Sequence, residues 1–249
     1  MNPPVEEDEH HKRLSPEDVQ VMRWKGGTLM DAQKFSEAEP IFVRLHAEFD
    51  DNASYTYELA RIRNSQKKYE EEAALWEQFI QHSPTPVEGC PAIGNAYRES
   101  GKDDKALDAL KRCWEFEPTN SDMILFYALE LEHNGEKKKA HDLYVKGHGV
   151  SPHYGDIIVG LARTEMSLGN LPEARKHILE VLARRPDNVD ALFAAGLIMS
   201  RSGDTAAARR YLQHGVELSP TYDEMKRALA SLGSAGGSRH SKRRSAKKQ

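Results

Sequence analysis

Prolines recur at positions 84, 118, 152, 186 and 220, and glycines at 101, 135, 169 and 203, both with a spacing of 34 residues. A recurrence of that length constrains the fold more than any other feature. A 34-residue unit cannot bury its apolar face alone and must stack on its neighbours. With Val19 as position 1, six units follow without a gap: 19–52, 53–86, 87–120, 121–154, 155–188 and 189–222. Position 8 is small in every unit (Gly26, Ala60, Gly94, Ala128, Ala162, Gly196). Position 20 is Ala38, Glu72, Ala106, Ala140, Ala174 and Ala208, small in all but the second. Position 24 is always large and apolar: Phe42, Trp76, Leu110, Tyr144, Ile178, Leu212. Small residues let two helices approach closely, and the large one fills the space beside them. Within each unit the apolar residues step by three or four, the helical period. Glycine at position 15 ends a first helix in four units, and proline at position 32 follows the second. Each unit therefore reads as helix, turn, helix.

The ends read differently. Ser15-Pro16-Glu17-Asp18 forms a capping box with proline at the first helical position, giving the array a defined start. Residues 223–232 (DEMKRALASL) read as a C-terminal capping helix. Residues 1–18 form an acidic arm leading into the first helix, and 233–249 a disordered basic tail. The arm holds six acids, and the segment 238–249 holds six Lys or Arg, within a chain of net charge −4.

In spacing and in its three size-selected columns, the stretch 19–222 resembles the tetratricopeptide repeat family. The resemblance implies an all-α, right-handed α-solenoid of six 34-residue helix-turn-helix repeats plus the capping helix. Several residues depart from the pattern: Lys25 at position 7, Arg63 and Glu165 at position 11, Glu72 at position 20, and Lys67 in place of the turn glycine. Pro91 is tolerable only if its helix starts late enough to hold it in the first turn. The resemblance further implies that the first helix of each unit lines a concave groove. On that face units two and three offer Tyr57, Arg61, Asn64, Asn95 and Arg98, a polar and cationic wall. Units four to six offer Leu125, Leu129, Val159, Met166, Phe193 and Leu197, with Arg163 and Arg201 among them. Apolar residues on a wet face mark a binding site, so the expectation is a non-catalytic scaffold or adaptor holding a peptide or partner helix. The alternative is contact with nucleic acid or an acidic partner through the basic tail, weak and salt-sensitive.

Other apparent motifs dissolve in the same register. In AHDLYVKGHG (140–149), Ala140 and Tyr144 are packing positions and Gly147 fills a tight column. His141 and His148, seven residues apart, stand about 10.5 Å apart along a helix, too far to share one zinc. Arg98–Asp103 lacks the residues a phosphate loop needs at both ends, and no nucleophile–base or zinc-hydrolase signature is present. The expectation is no enzyme, no metal and no cofactor. Cys90 and Cys113 fall at matched height on the two helices of one unit. Two reduced core cysteines are the preferred reading, and a crosslink the alternative. No apolar run reaches the roughly 20 residues of a membrane span, and the hydrophilic N-terminus is not a secretory signal. A cytoplasmic location is expected, with the soluble part of an exported or anchored protein as the alternative.

Overall fold

The computed structural model describes residues 13–232. The chain divides into two compact units, the first running through Glu117 and the second from Pro118. The first unit holds α1 (Pro16–Asp31), α2 (Phe35–Glu48), α3 (Ala53–Ser65), α4 (Tyr69–His82), α5 (Cys90–Glu99) and α6 (Asp103–Phe116). The second holds α7 (Ser121–His133), α8 (Lys137–Val150), α9 (Gly155–Leu168), α10 (Leu171–Arg184), α11 (Val189–Arg201) and α12 (Thr205–Leu218). A closing helix, α13, occupies 223–232. No strand occurs among the described residues. Helices pack in consecutive pairs, and within each unit the pairs stack in chain order as an α-solenoid.

The turn between paired helices shows how the local sequence dictates the hairpin. In all six pairs position 15 takes a left-handed backbone: Gln33, Lys67, Gly101, Gly135, Gly169 and Gly203 have φ between +57° and +91°. The N–H one residue on then reaches back to the first helix, as in Lys68 to the Arg63 carbonyl at 2.9 Å and Asp204 to the Met199 carbonyl at 2.9 Å. These bonds satisfy carbonyls that would otherwise be orphaned at the helix end. Lys67, the apparent exception in the sequence, holds the same turn at φ +58°. Its Cβ makes that conformation costly, which glycine avoids.

The size columns meet as their pattern implies. A Cβ on Gly196 would stand 2.4 Å from Leu212, and one on Gly94 2.7 Å from Leu110, so position 24 occupies the space that position 8 vacates. Ala38, Ala106, Ala140, Ala174 and Ala208 are fully buried. Helix starts are capped by Ser15, Asn52, Asn120 and Asn188, whose side chains accept backbone N–H bonds. Ser15 and Asp18 complete the expected capping box.

The polar departures are absorbed by partners. Glu72 is buried, and both its oxygens accept from Asn64 Nδ2 at 3.0 and 3.1 Å while Trp76 Nε1 donates to it at 3.1 Å. Arg63 bridges Glu39 at 2.5 Å and Glu71 at 2.7 Å. The Arg63 bond is the main reason the Glu39 carboxyl lies below its ordinary range. Glu165 is buried against His177 Nδ1 at 2.9 Å. Pro91 does sit in the first turn of α5, which begins at Cys90 after a 3₁₀ turn over Pro86–Gly89.

Candidate functional site

In the first unit, the expected polar wall is carried by α3 and α5. Tyr57 is half-buried, edge-on to Trp76 at 5.3 Å between ring centroids, and the Arg61 guanidinium lies over its ring at 5.9 Å. Arg61 also pairs with Glu58 at 2.9 Å and keeps much of its side chain exposed. Asn95 is exposed, with Arg98 donating to its side chain. Asn64 has a different task. Its amide nitrogen is committed to the buried Glu72, where it offsets the burial that pushes that carboxyl above its ordinary range. Asn64 is exposed, and its amide nitrogen also serves the packing by partnering a buried carboxylate that would be costly to leave with fewer bonds.

The second unit corrects the apolar stripe. Leu125, Val159 and Met166 are buried. Val159 and Met166 belong to the core shared with Ala191, Ala194 and Ala195 of α11, and half-buried Leu197 packs against the same cluster. Phe193 is half-buried, its ring 5.2 Å from Tyr222. Only Leu129 among the six is exposed, at 37%. The cause is that successive first helices touch one another, α9 against both α7 and α11. Part of the face assigned to solvent is thus a helix–helix seam. A single unit's periodicity cannot show this, because the residues that cover the face come from the next unit.

A polar knot stands among these side chains. Glu132 accepts from the buried Tyr144 hydroxyl at 2.8 Å and from Arg163 at 2.7 Å. Burial first, then the Glu132 carboxylate, pushes the Tyr144 hydroxyl far above its usual range. Burial opposes the Arg163 charge, and Glu132 more than offsets it, so the guanidinium stays firmly protonated. Arg201 donates to the Met166 carbonyl at 3.1 Å. Sequence reasoning passed over Glu132 and Tyr222, although the large residue at Tyr222 stands where Asn caps other units.

Two further sites settle open readings. Gly147 is a packing device, since a Cβ there would meet Ile124 at 2.7 Å. His148 and His141 are both half-buried. Among the described residues no group of three or more His, Cys, Asp or Glu is placed to hold a metal ion. Cys90 and Cys113 are joined in a disulfide with a Cα–Cα distance of 6.0 Å, which replaces the preferred reading of two reduced cysteines. The two helices meet where matched height places these residues. Beside the bridge lies a cavity of about 890 Å³ lined by Ile80, Pro84, Val87 and Phe116 among others. No described helix is long and apolar enough to cross a membrane.

The sequence model described as a tetratricopeptide repeat matches residues 13–84 and 159–223. Curated relatives include the Protein CTR9 homolog of Arabidopsis thaliana, 28% identical over 131 residues, covering 51% of this chain and 12% of that protein. The BBSome complex member BBS4 homolog of Drosophila melanogaster is 26% identical over 140 residues, 52% of this chain and 29% of that protein. The chain thus matches under a third of the length of either. Among solved structures, the APC/C hetero-tetramer Cut9-Hcn1 has a TM-score of 0.65 at 11% identity, covering 87% of this chain and 43% of that one. PilW, a type IV pilus biogenesis factor, has a TM-score of 0.64 at 16% identity, covering 86% and 100%. YrrB, a repeat protein with an unusual peptide-binding site, has a TM-score of 0.55 at 16% identity, covering 75% and 96%. Its fold is the one of protein-interaction scaffolds. Matched over more than half its length and built from helix pairs closed by one recurring turn, the chain belongs to the tetratricopeptide repeat family.

Proposed function

We propose that this chain is a non-catalytic scaffold that holds a peptide or partner helix in the groove lined by its first helices. The observation that carries the reading is what remains exposed after packing is accounted for. In the first unit this is Arg61, over the half-buried Tyr57, and Asn95, with Arg98 half-buried on α5; in the second it is Leu129 on α7 and Leu168 on α9, with Arg163, Phe193 and Leu197 half-buried. A cation over an aromatic ring beside amide and guanidinium donors suits an extended backbone or a carboxylate. Exposed leucines beside half-buried apolar groups suit an aliphatic anchor. YrrB, which shares the fold, is itself described with a peptide-binding site.

The six-unit division at 19–222 is part of this reading. The nucleic-acid alternative rests on the basic tail 233–249, which lies outside the described residues, as do the first twelve residues of the acidic arm. The disulfide bears on location. Such bridges persist where thiols are kept oxidised, which favours the exported or anchored alternative over the cytoplasm. The test is affinity capture with the full chain and with Arg61→Glu combined with Leu129→Ser. Both positions are exposed, so the fold should be kept while the captured set is lost. An unchanged captured set with a folded double variant overturns the assignment.

A further inference from the structure

We propose that the Cys90–Cys113 disulfide is a thiol-exchange site: a low-molecular-weight thiol enters the adjoining cavity, attacks the Cys113 sulfur and releases Cys90. The two residues are 1% and 4% exposed, so the outer surface presents little of either to a reagent. Both, however, line the cavity of about 890 Å³ beside α4, α5 and α6. That volume is in the range that takes small molecules. The equivalent place in the sixth pair holds a cavity of about 350 Å³. There Leu192 stands at the position of Cys90 and Tyr211 at that of Ala109, so larger side chains fill the space. The same slot of the repeat is filled in one pair and left open against a disulfide in the other.

The two sulfurs are not equivalent. Cys90 is the first residue of α5, whereas Cys113 lies in the last turn of α6. A developing thiolate is favoured at a helix N-terminus and disfavoured beside the final carbonyls of a helix. The charged neighbours do not reverse that order. Glu88 and Glu115 each stand two residues from one of the cysteines, and both are exposed. Arg112, next to Cys113, is taken up by Glu77 at 2.6 Å and Asp108 at 3.2 Å. Exchange is faster when the better thiolate is the one that leaves, so the attack falls on Cys113.

The incoming thiol gives its proton to water and its sulfur bonds to Cys113 Sγ. The bond to Cys90 breaks with the electron pair going to Cys90, which then takes a proton from water. The Cys90 sulfur stands 3.7 Å from the Pro86 carbonyl oxygen, an acceptor already in place for the new thiol. A second small thiol attacks the mixed disulfide at its own kind. Both cysteines end reduced, and the two small thiols leave oxidised as one disulfide. The element released is α5, whose start has no side-chain cap.

The test treats the full 249-residue chain, folded and in denaturant, with β-mercaptoethanol or with a thiol-terminated polyethylene glycol of matched reactivity that is too large to enter the cavity. Reactions are stopped with acid at early times, and adducts are located by mass spectrometry. On the folded chain the small thiol should sit on Cys113 in roughly tenfold excess over Cys90, and should open the bond roughly tenfold faster than the polymer does. In denaturant both ratios should fall to near one. Absence of a Cys113 excess on the folded chain, or an excess that survives denaturant, overturns the proposal. So do equal rates for the small and the large thiol, or a folded bond that neither opens.

Discussion

The third and sixth helix pairs occupy equivalent places in the repeat and are held in different ways. Helix α11 begins at Val189, capped by Asn188, and Leu192 at position 4 packs on Gly215 at position 27. In the third pair Pro86 stands where Asn188 caps, and Pro91 lacks an N–H, so α5 starts only at Cys90 after a 3₁₀ turn. It loses about a turn of helix, and with it part of the packing that fixes its start. Positions 4 and 27 are here Cys90 and Cys113, and the contact made by van der Waals packing in the sixth pair is a covalent bond in the third. One slot in the array accepts either solution, and the bond appears where the local sequence weakens the helix.

The largest test of this contrast removes the bond. Cys90→Ser with Cys113→Ser should lower stability by about 3 kcal/mol, as expected for releasing a loop of this length. Amide exchange should rise in 84–116 and stay unchanged in 189–218. Uniform change across the chain, or none, breaks the comparison. Next, Ala208→Leu forces a large side chain between closely packed helices and should cost roughly 1–3 kcal/mol in denaturant unfolding. Ala106→Leu should cost less in the reduced protein than in the oxidised one, because a freed α5 can yield. A smaller effect is expected from Asn188→Ala, about 1 kcal/mol through loss of the cap. Pro86→Ala should change the thermal midpoint less, since no cap is present to lose.

Protonation supplies a fourth test, within the second pair. Burial raises the Glu72 carboxyl above its ordinary range, against the bonds from Asn64 and Trp76. The native state then holds this proton more tightly than the unfolded chain does. Stability should therefore rise as pH falls through the folded value, and the gain should level off below the unfolded value. Glu72→Gln should remove that part of the pH dependence and raise the midpoint at neutral pH. A variant with the wild-type pH profile contradicts the assignment. Smallest is the turn: Lys67→Gly should stabilise by up to about 1 kcal/mol, and Gly203→Ala should destabilise by a similar amount.

The site was less legible than the fold, for reasons visible in single residues. Gly26, Gly94 and Gly196 disclose their partners because a size column records a contact inside one unit. Val159 and Met166 do not, because α11 buries them and their own unit says nothing of it. Asn64 carries a residue type common in binding sites, and only the buried Glu72 beside it shows that its amide nitrogen is engaged.

By itself the sequence determined the helical class, the pairing of helices, the left-handed turn and the late start forced by Pro91. Each follows from backbone sterics or from a period repeated along the chain, and both are local. Tertiary structure decided which residues of the first-helix face are seam and which are surface, whether Glu72 and Glu165 find partners, and that Cys90 meets Cys113. Those outcomes depend on side chains brought together from different helices, and a pattern read along one strand of chain holds no record of the distance between them.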